Sequence, residues 1–116
     1  MEKVLKKREG IDIEEFLNNL DVEDETMYEE ADAFVKPITL STAEDAQVVV
    51  SEAKQGNIIL LNIGDLSKRN AIKLKELITN IKGQIVEING DIARISHERL
   101  LITPSKVKII KRKEAR

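Results

Sequence analysis

Apolar residues recur along this chain with two different periods, and the switches between them mark its elements. Met1, Val4 and Leu5 share one side of a turn, with Lys3, Lys6, Lys7 and Arg8 around them. After Gly10, Ile13, Phe16, Leu17 and Leu20 recur at i, i+3, i+4 and i+7, which places them on one face of an amphipathic helix. A helix of about two and a half turns is marginal alone in water, so this stripe needs a covering surface: a membrane, another chain or the folded core. Its acidic flank, Asp12, Glu14 and Glu15, weakens attraction to anionic lipid, whereas the bases at 3–8 favour it. Residues 21–32, DVEDETMYEEAD, then hold seven acids and no base. Like charges at that density repel and offer little apolar area against ordering entropy, so 21–33 reads as a flexible acidic linker.

From Phe34 the pattern becomes that of a folded core. Phe34–Leu40 is short and apolar and contains Pro37, which predicts an edge strand. Ser41 with Glu44, or Thr42 with Asp45, forms a capping box opening a helix whose buried stripe is Ala46, Val49, Val50 and Ala53 and whose stop is Gly56. Asn57–Ile63, NIILLNI, is a continuous apolar run bounded by turn residues, as in a strand covered on both faces. Ser67 predicts the N-cap of a second helix ending at Gly83, with Ala71, Leu74, Leu77, Ile78 and Ile81 on one face. Gln84–Ile88 and Asp91–Ser96 read as strands joined by an Asn89-Gly90 hairpin turn, whose two positions both need positive φ. Leu100–Thr103 follows as a further strand ended by Pro104, Val107–Ile110 offers a last one, and a basic tail spans residues 111–116.

The expected order is β-α-β-α-β-β-β, an α/β (α+β) two-layer sandwich with both helices on one face of a mixed sheet. The other sheet face is then open. With only 3% aromatic residues in the chain, that face is aliphatic, and an open aliphatic face predicts self-association, most simply as a twofold homodimer.

Charge sharpens this division. The chain of 116 residues has a net charge of −2, yet residues 1–32 hold 12 acids and 4 bases (−8) and residues 33–116 hold 9 acids and 15 bases (+6). The apolar runs are far shorter than the roughly 20 residues of a spanning helix, and no apolar leader follows Met1. Cysteine is absent, which removes thiolate chemistry and suits a cytoplasmic setting. The single histidine, His97, sits in a predicted turn without metal-ligating partners, and the glycines form no phosphate-binding loop. Asn62, near the end of a buried strand, is expected to fasten a neighbouring loop. No nucleophile, base and oxyanion site come together, so no enzyme, cofactor or metal is expected, and a binding or scaffold protein is.

One run of motifs points further. Pro37, Asp45-Ala46, Gly56, Leu61-Asn62, Leu66 and Gly83 lead to Gly90-Asp91-Ile92-Ala93-Arg94-Ile95, then Leu100-Leu101-Ile102-Thr103-Pro104 and Val107. In order and spacing this resembles the SepF family of cell-division proteins, with its GDIxRI hairpin and FLLTP strand, and the short linker resembles the archaeal branch. The resemblance implies a dimeric adaptor with an N-terminal membrane-targeting segment (residues 1–20), a linker (21–33) and a core domain (34–110). It implies capture of the C-terminal peptide of FtsZ, the tubulin-like GTPase, and tethering of the division ring to the inner face of the cytoplasmic membrane. By position, Met1, Val4, Leu5, Lys6 and Lys7 would meet anionic lipid, Arg94 and Leu100 the peptide, and Gly83 a neighbouring subunit, with higher assemblies of dimers possible in such a family. A competing expectation is a nucleic-acid-binding module resembling the archaeal chromatin protein Alba, which has a similar element order and would use the +6 core. Dispersed bases and scarce aromatics make poor stacking platforms, so nucleic acid is not the expected partner.

Overall fold

The computed structural model describes residues 12–21 and 28–111. Met1, Val4, Leu5, Lys6 and Lys7 lie outside the described residues. The chain divides into two units between Asp32 and Ala33.

In the first unit, helix α1 spans Ile13–Asn18 and continues as a 3-10 turn over Asn19–Asp21. Asp12 caps it by accepting hydrogen bonds from the amides of Glu14 (3.1 Å) and Glu15 (3.4 Å). Ile13, Phe16, Leu17 and Leu20 are all exposed.

The second unit is a four-stranded sheet with helices against one face. Strand β1, Val35–Thr39, carries Pro37 and lies at the sheet edge, where a missing N–H costs no ladder bond. Helix α2, Ala43–Lys54, uses the second of the two predicted capping frames. The Thr42 hydroxyl accepts from Asp45 N–H (3.2 Å), and the Asp45 carboxylate accepts from the amides of Ser41 (2.9 Å) and Thr42 (3.0 Å). Ala46, Val49, Val50 and Ala53 are buried as the stripe predicts, and Gly56 follows the helix at φ +97°. Strand β2, Ile58–Asn62, pairs in parallel with β1.

Here the structure departs from the expected elements. The second helix is two helices, α3 (Gly64–Arg69) and α4 (Ala71–Glu87), broken at Asn70. Asn70 ends one and caps the other, its side-chain oxygen accepting from Lys73 N–H at 3.1 Å. Helix α4 runs straight through Gly83, so Gly83 is not a C-cap, and Gln84–Glu87 is helical rather than a strand. The cause is the buried stripe: Leu77, Ile81 and Ile85 stand four apart and all face the core. Burying Ile85, worth about 1.5–3 kcal/mol, outweighs the roughly 1 kcal/mol penalty of a mid-helix glycine.

Asn89-Gly90 accordingly ends a helix and does not turn a hairpin. Asn89 has φ 65°; its amide donates to Val86 C=O (3.0 Å) and the Gly90 amide to Ile85 C=O (2.9 Å), the paired bonds of a Schellman motif. The hairpin is instead β3 (Asp91–Ser96) with β4 (Arg99–Thr103), turned at His97-Glu98. The sheet order is β1-β2-β4-β3, with β4 antiparallel to both neighbours. Residues 107–110 form no strand.

The core is aliphatic. Leu40, Val49, Ile59, Leu61, Leu66, Ile81, Ile85 and Ile102 are its largest fully buried side chains. Strand β2 alternates, with Ile59 and Leu61 buried under the helices and Ile58 and Leu60 only half-buried on the other side. It is therefore covered by helices on one face and open on the other. The register puts Val35, Pro37, Ile58, Leu60, Leu101 and Ala93 on that open face.

Candidate partner-binding site at the β3–β4 hairpin

Arg94 and Leu100 are directly opposite each other in the hairpin ladder. Their environments differ sharply. Leu100 is 8% exposed and belongs to the core, where it pairs with Leu61 of β2. Arg94 is exposed, and its guanidinium is already held. Nε donates to Ser96 C=O (3.0 Å) and Nη2 to His97 C=O (2.8 Å), and Nη2 also stands 3.4 Å from His97 Nδ1. Arg94 thus clamps the turn while its Nη1 takes part in none of these bonds. That fixes a cation at the hairpin with rotamer entropy already lost, the condition for a strong charge-assisted contact.

A register shift between Arg94 and Ser96 leaves Ile95 as an extra residue in the ladder, half exposed beside the cation. The bulge is what brings an aliphatic side chain and a guanidinium to the same stretch of edge strand. The sequence held no signal for it, because GDIARIS alternates as a regular strand would.

The turn itself is braced by α3. Ile63 N–H donates to Glu98 C=O (2.8 Å), and the Glu98 side chain lies where a Cβ on Gly64 would come within 2.8 Å of it. Lys68 approaches Glu98 at 3.9 Å. Asn62 fastens the start of α3 as expected, accepting from Gly64 N–H at 2.9 Å. His97 is an exposed turn residue.

Gly83 lies on an exposed stretch of α4, with nothing within 4 Å of where a Cβ would stand. Its neighbour Gln84 lines an open groove of about 340 Å³ together with Gln47, Val50, Ser51 and Lys54 of α2. Among the described residues, no group of three or more His, Cys, Asp or Glu side chains is placed to hold a metal ion, and no helix is long and apolar enough to cross a membrane.

Residues 35–109 match the family described as Cell division protein SepF. The chain belongs to the SepF family. A SepF-like protein from Pyrococcus furiosus has the same fold, with a TM-score of 0.64 and 27% identity over 69% of this chain and 96% of that one. A SepF-like protein from Archaeoglobus fulgidus superposes with a TM-score of 0.64 at 17% identity, covering 72% of this chain and 99% of the other. SepF from Methanobrevibacter smithii, solved in complex with the FtsZ C-terminal domain, superposes with a TM-score of 0.55 at 17% identity, over 68% and 99% of the two chains. An uncharacterised protein of Methanocaldococcus jannaschii is 24% identical over 107 residues, 90% of this chain and 72% of its own length. The fold, helices on one face of a mixed sheet, is that of the SepF-like structures. This SepF-family chain is accordingly a cell-division protein of archaeal type.

Proposed function

We propose that this protein is a non-enzymatic adaptor that captures the C-terminal peptide of FtsZ at the β3–β4 hairpin and holds the division ring against the inner face of the cytoplasmic membrane. The observation that carries the reading is the family match over 35–109 together with a SepF relative solved with that FtsZ segment. Arg94, pre-set by the turn carbonyls, supplies the charge for an acidic peptide, and Ile95 the exposed aliphatic surface beside it. Leu100, being buried, contributes mainly by setting the shape beneath Arg94. Titration of the protein with a synthetic FtsZ C-terminal peptide tests this reading. Micromolar binding supports it, and no binding at millimolar peptide overturns it.

The tether is residues 1–20, with Met1, Val4 and Leu5 as the apolar contact and Lys6 and Lys7 facing anionic headgroups; residues 21–33 act as spacer and 34–110 as the core domain. So few apolar side chains bind weakly, and pairing of protomers raises their avidity. The homodimer forms through the open aliphatic face around Val35, Pro37, Leu60 and Leu101, whose burial removes apolar area from water. Gly83 and the groove beside it are a second subunit contact, where the lack of a side chain lets another helix come close and extend dimers into larger assemblies.

A further inference from the structure

The hairpin turn and the corner between α3 and α4 meet at one end of the sheet. The register places Thr39, Asn62, Ser96 and Arg99 at that end, and α3 begins two residues after Asn62. Arg94 stands opposite buried Leu100 in the ladder, so it lies on the helix-covered face of the sheet. Leu66, buried in the core, roots α3 on that same face. Glu98 joins the two. Its C=O accepts from Ile63 N–H, and its carboxylate lies 3.9 Å from the Lys68 ammonium, while Arg94 grips the adjacent carbonyls of Ser96 and His97.

The corner is basic. Residues 66–75, LSKRNAIKLK, hold four bases and no acid. Arg69 is paired with Asp65 at 3.5 Å, and Lys68 only loosely with Glu98. Among the described residues, the Lys73 and Lys75 ammonium groups have no hydrogen-bond or ion-pair partner. Ile72, between Arg69 and Lys73 in the sequence, is 75% exposed, because the buried stripe of α4 runs through Leu77, Ile81 and Ile85 on another side of the helix. The corner thus repeats the chemistry of the hairpin, where Arg94 has the half-exposed Ile95 beside it: cations next to an exposed aliphatic side chain.

We propose that the peptide site continues from Arg94 past Glu98 onto the α3–α4 corner, where Lys68 and Lys73 meet further carboxylates of the FtsZ C-terminal segment and Ile72 meets an apolar side chain. This deepens the hairpin reading above and rests on it. Continuity and charge both favour this occupant: the unpaired cations lie on the same face and at the same end as the guanidinium that makes the first contact. Such exposed charges act chiefly by drawing the peptide in and fixing its register. Glu98 is the acid at the joint. It competes with an incoming carboxylate for Lys68, so neutralising it should tighten binding.

The test is fluorescence-anisotropy titration of the full chain with labelled FtsZ C-terminal peptide, at low and at physiological salt, with thermal melts to establish that each variant is folded. Lys68→Gln/Lys73→Gln should weaken binding roughly three- to tenfold and flatten its salt dependence. Ile72→Ser should weaken it about threefold. Glu98→Gln should tighten it by about two- to threefold, which a merely structural role for Glu98 would not do. Lys82→Gln/Lys106→Gln removes the same charge toward the other end of the sheet and should leave affinity unchanged. Wild-type affinity in the Lys68/Lys73 and Ile72 variants, with Arg94→Glu still weakening binding, would overturn the inference and leave the hairpin reading standing. Equal loss in the Lys82/Lys106 control would mean diffuse attraction to the basic core and overturn it too. Unchanged peptide affinity in the Lys68/Lys73 variant, with loss of its binding to phosphatidylglycerol vesicles, would make the corner a lipid contact and overturn it as well. If wild type binds no peptide at millimolar concentration, the hairpin reading falls and the inference with it.

Discussion

Replacing Gly83 by alanine should stabilise the isolated protomer. Glycine in a helix interior costs roughly 0.5–1 kcal/mol relative to alanine, because the unfolded chain loses more freedom on folding. Nothing offsets that gain: Gly83 lies inside α4, its φ is not positive, and a Cβ there would have no neighbour within 4 Å. For a domain of this size, each kcal/mol moves the melting temperature by about 4–8 °C, so a rise of about 2–8 °C is expected. The assay is thermal unfolding followed by circular dichroism at dilute protein, where subunit contacts contribute least. A melting temperature lowered by Gly83→Ala under those conditions would refute the reasoning, because it would mean that something within the protomer packs against the glycine. At high protein concentration the same methyl should oppose close approach of a second helix, and Gly83→Lys should oppose it more. Sedimentation velocity then shows smaller assemblies for both variants. Unchanged assembly would remove Gly83 from the subunit contact while leaving the helix argument intact.

Gly90→Ala should behave in the opposite way, destabilising by more than about 3 kcal/mol, since a Cβ would stand 2.3 Å from the Thr103 carbonyl oxygen and 3.0 Å from Ile85; a urea midpoint equal to wild type would contradict this. Asp91 clasps the C-terminal segment by accepting from Lys111 Nζ (2.6 Å) and Ile109 N–H (2.9 Å), and this clasp should open only in strong acid. Its Asp91 carboxyl is pulled from 3.8 down to about 2, chiefly by the Lys111 hydrogen bond and next by the Ile109 amide. Because the folded value is the lower one, the clasp's contribution is fully present above the ordinary carboxylate value and is lost as pH falls from there through about 2. The Ile109 amide resonance should therefore hold its position at pH 4.5 and move near pH 2, and a transition centred above pH 4 would contradict the clasp.

Much of the fold was legible because single residue types carried it. The Thr42–Asp45 capping frame, the Ala46/Val49/Val50/Ala53 stripe and the positive φ at Gly56 were all readable from spacing. The error around residues 83–90 came from two local signals that tertiary packing overrode. Gly83 looked like a stop and Asn89-Gly90 like a hairpin, yet the stripe through Ile81 and Ile85 kept the chain helical until Asn89 closed it. Positive φ at Asn89 was foreseen; what it terminates was not, because one αL residue serves a helix end and a type I′ turn alike. At the candidate site, Arg94 and Leu100 were named from motif resemblance, and their adjacency follows from the hairpin pairing. The grip of the turn carbonyls on Arg94, the bulge at Ile95 and the Asp91 clasp depend on where strands end, which periodicity does not encode.

The central claim is that the hairpin takes up an acidic peptide through Arg94. Isothermal titration of the full chain with the FtsZ C-terminal peptide measures it most directly, using wild type, Arg94→Gln and Arg94→Glu, with melting curves to establish that each variant is folded. The account predicts micromolar binding for wild type, at least about tenfold weaker for Arg94→Gln and weaker still for Arg94→Glu, with added salt eroding the wild-type affinity. Folded Arg94→Glu protein that binds the peptide as tightly as wild type would contradict it.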